Sequence, residues 1–422
     1  MKPISRSYSK PYRTMKQRHS FNTSLATSLI CAATCMAAHA QTWETLLPTP
    51  QFAPTWEAAS MLIDPFSPDP ANPEIFLGCA SDSGSVLHVS NGVPTPADTD
   101  LGVTWGMGFN LTNSTIYAVG EHLRIADAPS SASNQEVWSV RKSTMEGGLN
   151  TWMQDDTFLL STTAGAMARA ITTDDSGNVY VCGMAYPASG NSHWVVRKLS
   201  FGATNWTTVV DAAVKSSTAD AHGLVSFPGN SLNPSKAVFA VGTLNSQWTV
   251  MRSQNQGASW QIVDAWSPGK NIGATANKAA CDSMGNIYVV GYRGVALTGA
   301  GWVVRKSTDG GNTWSLVLDV SEGIYCKASS IAIDGADVWV AGTTSPAGST
   351  QGRWTVLKNG VQGTLSANNA AFLQIRQLPF GNALSNPSGG VHADSNGNVF
   401  VAGLLFDPAI SNAYIVLQRL LP

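Results

Sequence analysis

Gly285-Asn-Ile-Tyr-Val-Val-Gly291 decides the reading of this chain, because it recurs. Gly177-Asn-Val-Tyr-Val-Cys-Gly183 and Gly397-Asn-Val-Phe-Val-Ala-Gly403 repeat it closely. Ile75-Phe-Leu-Gly78, Ile116-Tyr-Ala-Val-Gly120, Val238-Phe-Ala-Val-Gly242 and Val338-Trp-Val-Ala-Gly342 repeat it loosely. Each copy is a short run of β-branched and aromatic residues, the composition of a strand, reached through a turn-rich approach. A recurrent unit of this length is one supersecondary module that cannot bury its apolar face alone, so its copies must stack.

The flanks of the fifth and sixth copies supply the rest of the module. Ser329-Ser-Ile-Ala-Ile-Asp334 reads as a strand before Val338–Gly342, and Trp354-Thr-Val-Leu-Lys358 as a strand after it. One unit earlier, Trp302-Val-Val-Arg-Lys306 runs through a polar turn into a fourth strand, Trp314-Ser-Leu-Val-Leu318. Four short antiparallel strands per unit are the sequence form of a β-propeller blade. The seven copies lie 41 to 63 residues apart. The sequence therefore predicts an all-β, seven-bladed β-propeller of four-stranded antiparallel blades. The seventh unit supplies only three strands, Gly390–Asp394, Asn398–Ala402 and Tyr414–Gln418. Thr42–Leu47 matches Thr313–Leu318, so an N-terminal strand is predicted to complete the last blade and close the ring. Closure removes the open sheet edges that invite aggregation.

Residues 1–40 carry six bases and no acid, an apolar stretch from Leu25 to Ala38, and Ala38-His-Ala40 before Gln41. That is the layout of a secretory signal peptide, with translation starting at Met1 or Met15. The stretch is too short for a permanent membrane anchor. The expected organisation is a signal peptide over 1–40, cleaved after Ala40, and a single propeller domain over 41–422. The product is expected to be secreted or periplasmic, without stable membrane insertion, and monomeric. Past Ala40, 19 bases face 27 acids, a formal charge of −8. With no basic block, nucleic acid is not an expected partner. Charged residues are 12% of the chain, about half the usual share, which suits many strands joined by tight turns. Cys79, Cys182, Cys281 and Cys326 form no CxxC pair and fit no zinc template. They read as buried free thiols, and neither metal nor cofactor is expected.

Ser307-Thr-Asp309-Gly-Gly311-Asn-Thr-Trp314 fits the S-x-D-x-G-x-T-W Asp-box, and Ser253-Gln-Asn255-Gln-Gly257-Ala-Ser-Trp260 is a degenerate copy. On these residues the chain resembles the BNR or sialidase-like propellers, and its second strands resemble bacterial D-x-x-G-N-V-Y-V-x-G propeller repeats. The resemblance covers nearly all of the chain past residue 40 and is specific for fold rather than activity. Sialidases use three arginines gripping a carboxylate and an Arg-Ile-Pro motif. This chain has no Arg-Ile-Pro, and Arg141, Arg197 and Arg305 sit at one equivalent position, three after Trp138, Trp194 and Trp302, so sialidase activity is not expected. A residue repeated in every blade serves each blade. The aspartates before Gly-Asn turns (Asp174, Asp282, Asp394) likewise read as turn formers.

Positions where the blades differ are better site candidates. Aligning the first strands on their terminal aspartate exposes, five residues earlier, Ala59, Arg169, Asn277, Ser329 and Gly389, with His222 near that level in the fourth unit. Arg169, His222 and Lys278 form a cationic, titratable arc at the predicted axial mouth. Loops on the same face add Tyr186, Tyr292, Arg293, Glu322, Tyr325, Glu121 and His122. The ligand-binding set is taken as Arg169, His222, Lys278, Tyr292, Arg293, Glu322 and Tyr325. Two functions remain open. One is a binding or scaffold propeller recognising a polysaccharide or an envelope protein through its top-face loops. The other is a polysaccharide-active enzyme, a lyase in which arginine neutralises a carboxylate while histidine or tyrosine takes a proton, or a glycosidase with two facing carboxylates. No motif marks such a pair among Asp220, Glu322, Glu121 and Glu136.

Overall fold

The computed structural model describes residues 43–420 apart from 48–56, 81–84, 124–135, 145–150, 215–217, 295–299, 321–325, 345–352, 360–371, 380–385, 408–411 and a few shorter gaps. Every regular element among these residues is a strand, and no helix is long and apolar enough to cross a membrane. The strands form seven four-stranded antiparallel blades: 57–98, 103–158, 166–212, 219–266, 274–320, 327–379, and 386–420 completed by 43–45. One pairing, Ala80 with Val103, joins the sheets of blades 1 and 2. This is the predicted seven-bladed propeller.

The ring closes as the sequence required. Trp43–Thr45 pairs antiparallel with the third strand of blade 7, Asn412–Leu420, in the register Trp43↔Leu420, Glu44↔Arg419 and Thr45↔Gln418. Arg419 adds a 2.6 Å ion pair to Glu44 across the seam.

The core lies between blades. Trp138, Trp194, Trp248, Trp302 and Trp354, one per third strand of blades 2 to 6, are buried at 1% exposure or less. Three of the recurrent second-strand glycines, Gly183, Gly291 and Gly342, are explained by these tryptophans and by the neighbouring backbone. A Cβ on Gly291 would lie 2.9 Å from Trp248 of the preceding blade and 1.9 Å from the Thr275 carbonyl oxygen of its own inner strand. Gly183 meets Trp138 and the Met167 carbonyl in the same way, and Gly342 meets Trp302 and the Lys327 carbonyl. No side chain fits there.

The inner strands explain why those carbonyls come so close. Six of the seven lose register at one residue, a β-bulge that bends the strand and re-aims a side chain. The extra residues are Ala59, Trp105, Arg169, His222, Asn277 and Ser329. In blade 7 the pairing skips from Asn386 to Gly390, a gap that spans Gly389. The carbonyl two residues before each of Trp105, Arg169, His222, Asn277 and Ser329 is the one that a glycine Cβ would strike.

The repeated charged residues fasten blade to blade. Arg141, Arg197 and Arg305 reach the outermost strand of the preceding blade, at Asp98 (2.5 Å), Asp156 (2.6 Å) and Asp264 (2.7 Å). One residue later, Lys198 donates forward to the Gln256 carbonyl (2.8 Å) and Arg252 to the Gly310 carbonyl (2.6 Å) of the next blade. These residues are occupied within the structure. The four cysteines are unbridged, and three are buried.

Candidate functional site

The bulge residues surround the axis. Along it runs a cavity of about 160 Å³ to which the inner strands of all seven blades contribute, among them Ala59, Gly106, Ala170, Leu224, Lys278, Ser329 and Gly390. Directly after the bulges the inner strands present Ser60, Gly106, Ala170, Gly223, Lys278, Ser330 and Gly390. Six are small; the lysine is the exception.

Blades 2 to 4 carry the densest chemistry. The Arg169 guanidinium lies 5.0 Å over the Trp105 ring. Its Nη2 is 3.4 Å from Asp220 Oδ2, and the same oxygen is 3.8 Å from His222 Nε2. Glu121 and Asp220 are each only 8% exposed. Burial and the like charge of Glu136 push the Glu121 carboxyl up to about 7, opposed by Arg169. Burial also depresses His222 and Lys278, and Arg169 lowers both further. Two buried polar atoms here, Arg169 Nε and Asp220 Oδ1, have no hydrogen-bond partner, while the Trp105 indole N–H is directed at the Glu121 carboxylate, whose charged form it favours. Native proteins leave few such groups, and each uncompensated one costs about 1–3 kcal/mol.

The structure thus brings Arg169, His222 and Lys278 into one electrostatic neighbourhood with Lys327, whose charge also reaches His222. Tyr292 lies under Lys327, 5.1 Å from its ammonium. Arg293 turns to Asp319 on the outer strand of its own blade, with Nε at 2.8 Å, and stands apart from the cluster. Glu322 and Tyr325 lie outside the described residues, and His122 lines a separate surface pocket with Val137 and Phe158. Two members of the cluster escaped the sequence alignment. Trp105 precedes Asn110 by the same five residues, but that strand ends in asparagine instead of aspartate. Asn110 does the same work, taking the Thr112 N–H at 3.0 Å. Asp220 lies on the inner strand Ala219–Phe227, two residues before the bulge.

The remaining sequence-marked residues are internally satisfied. Asp309 Oδ1 accepts from the Asn312 and Thr313 amides at 3.0 and 2.9 Å, and from Ser307 Oγ at 2.8 Å; Gly311 N donates to Ser307 Oγ at 2.8 Å. Gly311 has φ +86°, and Trp314 meets Phe239 edge-on at 6.5 Å. The turn at Ser253, Asn255 and Gly257 repeats these bonds, with Trp260 edge-on to Tyr180 at 6.5 Å. Asp174 Oδ1 accepts from the Ser176 and Asn178 amides at 3.0 and 2.9 Å. A larger cavity of about 350 Å³ between blades 3 and 4 is lined by Asp174, Phe227, Lys236 and Asn255. Its charges are already used: Asp174 holds its turn and Lys236 is paired with Asp175. Among the described residues no cluster of histidine, cysteine and carboxylate side chains is arranged to hold a metal.

The molecule is a seven-bladed β-propeller with a polar, part-buried cluster on the inner strands of blades 2 to 4. No family model matches the sequence, and no curated protein does. Solved propellers share the fold at low identity. A GH74 enzyme from Niastella koreensis is 13% identical, with 87% of this chain and 54% of that one aligned and a TM-score of 0.53. An ulvan lyase representing a new polysaccharide lyase family is 11% identical over 87% and 94% of the two chains, with a TM-score of 0.51. A YCF48 protein bound to a D1 peptide is 12% identical over 89% and 98%, with a TM-score of 0.46. Two enzymes of different classes thus share this architecture, and likeness at this level speaks for the fold alone.

Proposed function

We propose that this protein is an exported β-propeller that binds a glycan at its axial mouth, over Trp105, Glu121, Arg169, Asp220 and His222. The observation that carries this reading is a buried donor and a buried acceptor without partners, Arg169 Nε and Asp220 Oδ1, on two side chains that lie 3.4 Å apart. Sugar hydroxyls donate and accept at once. A hydroxyl pair reaching Asp220 Oδ1 and Arg169 Nε would satisfy both. Arg169, His222, Lys278 and Lys327 together favour a glycan that carries a carboxylate, such as a uronate. Export rests on the signal-like residues 1–40, with cleavage after Ala40. Kinship with the Asp-box propellers rests on the turn chemistry of Ser307–Trp314 and Ser253–Trp260.

Glu121 favours a second reading. A carboxyl poised near neutrality beside the acid Asp220 is the pairing that acid–base glycan cleavage uses. The mouth would then act as a lyase or glycosidase, while sialidase activity remains disfavoured by the missing Arg-Ile-Pro.

The test presents acidic and neutral polysaccharides to the purified protein. It follows binding by calorimetry, and reducing ends and unsaturated-uronate absorbance in parallel. Binding without product is expected, lost in Arg169→Ala/His222→Ala at little change in melting temperature. Product from one substrate would replace the binder with the enzyme. No response to any glycan would overturn both readings.

A further inference from the structure

Lys278 differs from every other residue at its level. At the six equivalent positions the inner strands carry glycine, alanine or serine, so one long side chain, and the only lysine among the lining residues, enters the channel at this level. Space is cleared for it: at Gly223, on the adjoining inner strand, a Cβ would stand 3.0 Å from Lys278 Cα and 2.8 Å from the Asn277 carbonyl. Lysines elsewhere on the blades are engaged. Lys198 bonds the Gln256 carbonyl, Lys358 pairs with Asp337 at 2.7 Å, and Lys327 lies over Tyr292. Lys278 forms no ion pair or hydrogen bond among the described residues. The groups that sense its charge are the Cys182 thiol and the like-charged Arg169. An amine in an enclosed channel, facing a cation and lacking a carboxylate, sheds its proton readily and becomes a nucleophile.

We infer that Lys278 is a reactive amine site that condenses with the carbonyl carbon of a small oxo acid admitted to the axial channel. The Nζ lone pair attacks the carbonyl carbon, and the carbonyl π pair moves to oxygen. The resulting carbinolamine loses that oxygen as water, which carries off both amine hydrogens, and a C=N bond remains. No oxidant or reductant is needed. The oxo acid's carboxylate is what Arg169 would receive, since its Nε is a buried donor without a partner. A cavity of about 160 Å³ suits a molecule of a few heavy atoms rather than a sugar ring. This site shares Arg169 and Lys278 with the proposed glycan mouth, but adduct formation at Lys278 is read out whether or not a glycan binds.

The experiment incubates the purified protein with glyoxylate and cyanoborohydride at neutral pH and maps the reduced adducts by peptide mass spectrometry. Lys278 is expected to label at least about tenfold faster than Lys198, Lys236 or Lys358, as an activated amine should. Lys278→Met should lose that adduct without lowering the melting temperature. Arg169→Gln should slow labelling, because its loss lets the ammonium keep its proton and leaves the carboxylate unheld. Labelling spread evenly over the lysines, no adduct at Lys278, or an Arg169→Gln protein that labels as fast as the parent would each overturn the inference.

Discussion

Glu121 shows how one side chain can make the mouth pH-dependent. Its carboxyl is raised from 4.5 to about 7, chiefly by burial and secondly by Glu136. Between those values the folded chain holds a proton that the unfolded chain has released, so stability falls as pH rises across that window. Glu121→Gln should flatten this part of the stability profile; an unchanged slope in chemical denaturation from pH 4.5 to 7 would refute the assignment. Gly291 makes the opposite point, that an absent side chain can be obligatory. Alanine there would meet the Thr275 carbonyl oxygen at 1.9 Å and Trp248 at 2.9 Å. Overpacking of this kind costs about 1–3 kcal/mol, occasionally more, and Gly291→Ala should show that loss in urea midpoint while leaving glycan response in place.

At the scale of elements, the bulge and the spoke divide the work of a blade. The bulge turns one inner-strand residue out of the ladder, and because that residue varies from blade to blade, chemistry accumulates at the axis. The spoke recurs in blades 2, 3 and 5, an arginine on the third strand reaching the outer carboxylate of the blade before. Arg305 and Asp264 are each 8% exposed in their side chains and meet through two bonds of 2.7 and 2.9 Å. Removing one partner of such a buried pair costs about 3–5 kcal/mol by stranding the other charge. Arg305→Met should therefore lose stability on that scale, and adding Asp264→Leu should restore much of it. If the double variant is no better than the single, the penalty is not a stranded carboxylate.

For the whole molecule, stability depends on a closed ring. Trp43–Thr45 is only three residues long, yet it covers the edge of Asn412–Leu420 and joins the chain's beginning to its last blade. An open seam exposes unpaired backbone donors and acceptors, the template for edge-to-edge association. Deleting residues 43–45 should lower the melting temperature and promote concentration-dependent aggregation. A deletion protein that melts as the parent does, and stays monomeric in light scattering, would refute the role of the seam.

The blade count, the strand order within a blade, the closing strand and the structural duty of the repeated arginines were legible in the sequence, because comparison of the copies shows what recurs and what the last copy lacks, and local chemistry suffices to read it. Turns such as Asp174–Asn178 need only their own side chains and backbone. Half of the mouth was legible too: five residues before the terminal aspartate, the alignment met Ala59, Arg169, Asn277 and Ser329, which the fold turned out to bulge. Trp105 hid because Asn110 replaces aspartate as the landmark. Other features belonged to the tertiary structure alone. That Arg169 lies between Trp105 and Asp220, and that Lys278 stands by itself in the channel, are relations between blades some 50 residues apart, and that Arg293 turns away to Asp319 is a relation across one blade between strands 26 residues apart. Such distances are set by how the ring packs, through tryptophans pressing on glycines of the next blade, and periodicity within one copy carries no record of them.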